Sequence, residues 1–234
     1  MTSDIPHAQG AHSAVVDALC DDPMLRDALA HWDALRCDRL VPARTEIDPT
    51  ALSDILGHAA MLERPRPGTI RIRLAGGRIQ ALMGMEVRGM PLRALFDLAS
   101  RARITEAAEQ ALAEPSVLIV DAISPAPRFG ALPADQIRTQ IAILPMTDNE
   151  LATTRALYVM SDPVGANGQV GDQHRWSIQS IDMIPVEAGT PIASVEHVRT
   201  PAMAPEPERG SEIAHEDRGA FARARFRVIQ GGLA

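Results

Sequence analysis

Between Gly68 and the Gly76–Gly77 pair the chain reads Thr-Ile-Arg-Ile-Arg-Leu-Ala, with apolar and cationic side chains in alternation. Successive side chains of a strand point to opposite faces, so this stretch offers one face to a core and one to water. The alternation predicts a strand that buries Ile70, Ile72 and Leu74 and turns Arg71 and Arg73 outward. The preceding His-Ala-Ala-Met-Leu-Glu-Arg-Pro reads as a second short strand, and the two predict an antiparallel hairpin.

Around that hairpin the rhythm changes. Upstream, Pro23 to Cys37 repeats Leu25, Leu29, Trp32 and Leu35 at helical spacing, with Asp22 placed to cap it and Pro23 in its first turn. A second helix is expected in Ile-Asp-Pro-Thr-Ala-Leu-Ser-Asp-Ile-Leu, capped by Asp48 and striped by Leu52, Ile55 and Leu56. Downstream come a short helical turn at Gly77–Gly84 and a longer helix from Asp97 to Ala113. The longer helix would bury Leu98, Ile104, Ala108, Ala111 and Leu112. Then follow Ser-Val-Leu-Ile-Val-Asp-Ala-Ile-Ser, apolar enough to be covered on both faces, and two further strands ending at Asp162-Pro163. A last strand candidate lies in Arg-Trp-Ser-Ile-Gln-Ser-Ile-Asp-Met-Ile-Pro-Val. Helices, a hairpin, a helical crossover and a run of strands make an α+β domain with one sheet.

The expected organisation is a flexible N-terminus over 1–22, N-terminal helices over 23–57 and a core over 58–185. Beyond Val186 the composition turns to Pro, Ala and Glu without a period, which reads as a disordered linker over 186–217. Residues 218–234 are different again. Arg223, Arg225 and Arg227 there interleave with Phe221 and Phe226, a candidate partner-binding tail.

Composition removes several functions. A net charge of −7 and only 3% aromatic residues argue against a nucleic-acid binder, which needs cations for the backbone and rings for the bases. Every basic residue is arginine, so no lysine can form a Schiff base or grip a phosphate. Cys20 and Cys37 form neither a CxxC pair nor a zinc set. The Walker, G-x-S-x-G and H-E-x-x-H patterns do not occur, and the seven histidines are scattered. Haem ligation by His31 or His58 stays open beside the commoner reading of satisfied or surface histidines. Glu106 and Glu109, one helical turn apart, read as a solvated face before an acid–base pair. No run has signal-peptide or transmembrane character, and a cytoplasmic protein is expected.

Two ordered blocks carry a resemblance. The first, His31 to Leu56, contains Trp32, Pro42, Arg44 and Asp48-Pro49. The second, Arg71 to Phe96, contains Arg73, Leu74, Ala75, Gly76, Gly84, Glu86 and Gly89. Over about residues 28–165 the chain resembles the single-domain PAS proteins of alphaproteobacteria. The resemblance implies a PAS fold, a five-stranded antiparallel sheet with helices on one face. Its strands would lie near 58–64, 68–75, 116–124, 135–145 and 153–161, and an N-terminal helical cap would precede them. The chain departs from the family at Ile72, Gly77 and Gln80, and Gly76 to Gly84 lacks the cysteine of a flavin light sensor.

PAS domains are sensory and protein-interaction modules rather than catalysts. The resemblance therefore implies a regulatory, signalling protein that acts by protein–protein contact, without an output domain of its own. Its partners would be signalling proteins, a second copy among them, with no nucleic acid and no membrane span. No resident cofactor is expected. A haem or organic ligand in the pocket between sheet and helix is the alternative, and an unrecognised enzyme the remote one. The charged stretch from Arg36 to Leu52 is expected to dock on the outer face of the sheet. Glu46 or Asp48 would meet Arg71 or Arg73, and Arg44 would meet Glu86 or a backbone carbonyl. Trp32, Arg44, Asp48, Arg71, Arg73 and Glu86 are thus the candidate structural and interaction residues.

Overall fold

The computed structural model describes residues 20–124, 137–163 and 175–192. The alternating stretch is a strand, β2 (Thr69–Ala75), paired antiparallel with β1 (Ala59–Arg66). Four more strands complete the sheet: β3 (Ser116–Ile123), β4 (Arg138–Met146), β5 (Arg155–Met160) and β6 (Ser177–Pro185). Their order is β2-β1-β5-β4-β3-β6, antiparallel at every step. The five expected strands are all present. The sheet nevertheless has six, because β6 runs along the free edge of β3 from Ser116↔Pro185 to Ile123↔Ser177. An antiparallel neighbour there satisfies backbone groups that an edge strand would leave open.

Both faces of the sheet are covered. On the inner face, Leu62, Ile72, Leu118, Val120, Ile143 and Tyr158 pack under α2 (Gly77–Met83) and α3 (Arg101–Ala113). On the outer face, Ile119, Leu144 and Val159 pack under Leu25, Ala28, Leu29 and Trp32 of α1 (Pro23–Arg36). This explains why β3 is apolar on nearly every residue: Val117 and Ile119 serve the outer core, Leu118 and Val120 the inner. Asp22 caps α1 by accepting from the Met24 amide at 2.8 Å, as its sequence position predicts.

Four local expectations need correction. The second N-terminal helix is a chain of tight turns instead. Asp48 accepts from the Thr50 amide (2.8 Å), and bonds such as Ser53 N–H to the Thr50 carbonyl lead into a 3₁₀ turn at Leu56–His58. Three-residue turns place Leu52 and Ile55 on one buried side and leave Leu56 outside, 42% exposed. Helix α3 also starts later than Asp97, because the Asp97 amide is bound to the Trp176 carbonyl and its carboxylate to the Ser100 amide. Leu98 is consequently 81% exposed rather than buried.

The third correction concerns β2. Ile70 and Ile72 are buried and Arg71 and Arg73 exposed, as alternation predicts. The register then slips: Met61 faces Leu74, but its neighbour Leu62 faces Ile72. Arg73 is the extra residue of a β-bulge, which inverts the alternation and puts Leu74 on the outer face, 53% exposed.

The fourth lies at the end of the core. The sequence assigns 186–217 to a disordered linker, yet Glu187–Ile192 run along α1. Arg36 donates to the carbonyls of Glu187 (2.9 Å) and Thr190, and the Ile192 amide donates to Asp33 (3.2 Å). Residues 193–217, and the basic-aromatic segment with Arg223, Arg225, Phe226 and Arg227, lie outside the described residues.

Candidate docking groove on the outer face

Helix α1 ends at Arg36, and the charged stretch beyond it crosses to the other end of the sheet. Glu46 organises its first turn, accepting from Arg39 (2.8 Å) and from the Ala43 amide (2.7 Å). The Arg39 hydrogen bond, then that of Ala43, hold the Glu46 carboxyl below the usual carboxylate range. Ala43 pairs with Thr147 after β4, and two backbone bonds of 3.0 Å, Arg44 N–H to Thr147 and Thr147 N–H to Pro42, anchor the crossing. The stretch therefore touches the β4–β5 connection.

Past that anchor, the stretch from Arg44 to Leu56 stands as a wall over β1 and β2. An open apolar trough of about 520 Å³ lies between, with Ile47, Pro49 and Leu56 on one side and Met61, Leu74 and Leu157 on the other. It continues into a polar trough of about 490 Å³ lined by Arg44, Arg73, Arg88, Asp148, Glu150 and Arg155. Arg44, Met61 and Leu74 line both.

The charges of the polar end are unevenly committed. Glu63 pairs with Arg73 (3.0 Å) and with Arg155. Asp148 folds its own loop, accepting from the Thr154 hydroxyl (2.6 Å) and the Glu150 and Ala152 amides (2.8 and 3.1 Å). The Thr154 bond foremost keeps its carboxyl below the ordinary range. Arg44 and Arg88 are exposed, and their guanidinium groups have no partner among the described residues.

Of the residues singled out in the sequence, Arg44 and Arg73 meet in this groove and the others do not. Trp32 is buried in the outer core, its indole N–H bound to the Pro145 carbonyl (2.8 Å). Asp48 closes its own turn, and Glu86 accepts from the Arg88 amide (3.0 Å) rather than from Arg44. Arg71 is exposed on the edge strand, its backbone bridged to Pro91. Neither Glu46 nor Asp48 reaches Arg71 or Arg73; Arg39 and Glu63 are the partners instead.

Sequence reasoning missed Arg88, Leu56 and Leu74 as surface residues of one groove. Leu74 gave no signal, because a bulge has no residue signature. It also missed Arg36, which is 1% exposed and lies over Trp32 with its guanidinium carbon 5.7 Å from the ring centroid.

A second feature lies on the inner face. Tyr158 is fully buried among apolar side chains, and its hydroxyl has no hydrogen-bond partner among the described residues. Burial raises its pKa. Buried hydroxyls are nearly always paired, and this one is an exception among the described residues. His31 lies on α1, which covers the outer face, and His58 in the turn before β1.

A family model described as a PAS domain matches residues 20–161, more than half of the chain. The match spans α1 to β5 and stops short of β6 and the strap that follows it. No curated protein matches the chain.

Proposed function

The chain belongs to the PAS domain family, and from that premise we propose that it is a regulatory protein acting through protein–protein contact. PAS domains are in general sensory, non-enzymatic modules. The observation that carries the finer reading is the outer groove. Leu56 and Leu74, 42% and 53% exposed, face one trough beside the uncommitted Arg44 and Arg88. Large aliphatic side chains held half in water beside arginines are the raw material of an interface.

A cytoplasmic location is part of the same proposal. No helix among the described residues is long and apolar enough to cross a membrane. The tail residues Arg223, Arg225, Phe226 and Arg227, outside the described residues, enter the proposal as a second partner contact.

A second reading is favoured by Tyr158. Its hydroxyl, without a partner among the described residues, could meet a small organic ligand between sheet and helices, which would make the protein a ligand sensor. Native and denaturing mass spectrometry on freshly purified full-length protein, with an absorption spectrum, separates the two. A mass surplus lost on denaturation favours the sensor. Its absence, together with a protein partner cross-linked to the chain in its own cells, favours the interaction module.

A further inference from the structure

We propose that the groove between the Arg44–Leu56 wall and the β1–β2 hairpin receives an acidic, amphipathic segment of a partner protein. The inference rests on the interaction-module reading and gives it a place and a chemistry. At the apolar end Ile47, Pro49, Leu56, Met61 and Leu74 line one trough, and the bulge at Arg73 is what turns Leu74 into it. At the other end Arg44 and Arg88 carry charge that no described side chain answers, whereas Arg73 and Arg155 share Glu63. Because Arg44, Met61 and Leu74 line both ends, a single ligand segment lies across them. Its apolar side chains would cover Leu56 and Leu74 while its carboxylates meet the planar guanidinium forks.

The shape selects a polypeptide. Small-molecule sites enclose most of their ligand, and these two lobes are only about half enclosed. A membrane surface fits less well. The trough is concave, and the flat face of a bilayer cannot enter it. A basic segment is disfavoured by the four arginines of that end.

The test uses the full-length chain and a displayed library of random peptides about sixteen residues long, roughly four helical turns. Selection on the wild-type protein is expected to enrich peptides in which Leu, Ile, Met or Phe alternate with Glu or Asp. Fluorescence anisotropy with the best such peptide should then weaken at least about tenfold for Arg44→Glu/Arg88→Glu. The same loss is expected for Leu56→Ser/Leu74→Ser. All four side chains are exposed, and circular dichroism and Tm verify that both variants fold.

Four results would overturn the proposal: no binder, binders without acidic bias, binding untouched by both variants, or displacement of the peptide by phosphatidylglycerol vesicles. Self-association of the wild type that the Arg44→Glu/Arg88→Glu variant abolishes would also overturn it and assign the groove to a second copy. A cellular partner captured equally by wild type and variant leaves the interaction reading standing and removes the groove from it. Capture of no partner by the wild type removes both.

Discussion

Arg36 Nη1 donates to the backbone carbonyl of Glu187 at 2.9 Å, joining the last turn of the N-terminal helix to the chain just after the last strand. The same guanidinium binds Asp33, the Arg39 carbonyl (3.0 Å) and the Thr190 carbonyl, while lying on the Trp32 ring. A buried cation survives only when its donors are answered, and here backbone carbonyls answer most of them. The contact ties the Glu187–Thr190 backbone to the C-terminal end of α1.

Arg36→Ala removes the donor from three part-buried carbonyls and one of the donors to the Asp33 carboxylate, which keeps the Ile192 amide. The expected loss is about 3 kcal/mol, which for a domain of this size lowers Tm by roughly 6–12 °C. Hydrogen exchange should speed up first at the amides of Glu187–Ile192. A Tm within a degree of wild type would show that the strap is not held by this residue.

Tyr158→Phe removes a hydroxyl that has no partner among the described residues, so the variant should be as stable as the parent or more stable by up to about 1 kcal/mol. Urea unfolding measures this directly. A clear destabilisation would mean that the hydroxyl is bonded in solution. If native mass spectrometry reveals a bound ligand, the same variant should hold less of it.

The two thiols should react very differently. Cys20 is buried, and burial pushes its pKa up to about 12, whereas Cys37 is exposed. At pH 8 iodoacetamide should alkylate Cys37 quickly and Cys20 only after unfolding, because the thiolate is the nucleophile. The sign of the linkage follows from the raised value. Above pH 9.0 the unfolded chain loses the Cys20 proton and the folded chain keeps it, so this thiol lowers stability progressively from pH 9.0 to about 12. Wild type should therefore lose stability over that range faster than Cys20→Ala.

Adjacent glycines should tolerate alanine unequally. A Cβ on Gly76 would collide with the carbonyl oxygens of Leu56 and Gly57, both backbone and unable to yield cheaply. The Gly76 amide also closes the hairpin by donating to Ala59 (2.8 Å). Gly76→Ala should cost about 2–4 kcal/mol. Gly77 opens α2, and a methyl group added to it would meet nothing within 4 Å. Gly77→Ala should be neutral or stabilising by about 0.5–1 kcal/mol. Equal melting temperatures for the two variants would contradict this account.

Period and punctuation were enough to place most elements. Leu25, Leu29 and Trp32 at helical spacing, the Asp22 cap, the unbroken apolar run of β3 and the alternation of Ile70 and Ile72 all read directly into the folded chain. Each is a local pattern, legible because a helix or strand repeats its geometry every few residues. The two blocks containing Trp32 and Gly76 led likewise to the PAS family.

What the chain could not announce are relations between residues far apart in it. The Arg73 bulge exists only in the pairing of β2 with β1, and it alone decides that Leu74 faces water. Arg36 finds Glu187 only after six strands have been ordered between them, so its burial could not be read from a helix end rich in charge. Arg44 and Arg88 share a groove because Thr147 anchors one wall and the hairpin forms the other. Local sequence sets the conformation and the apolar face of each element through short-range sterics and burial. Which faces meet, and which side chains are left over at the seams, is settled by long-range packing that forms only when the whole sheet does.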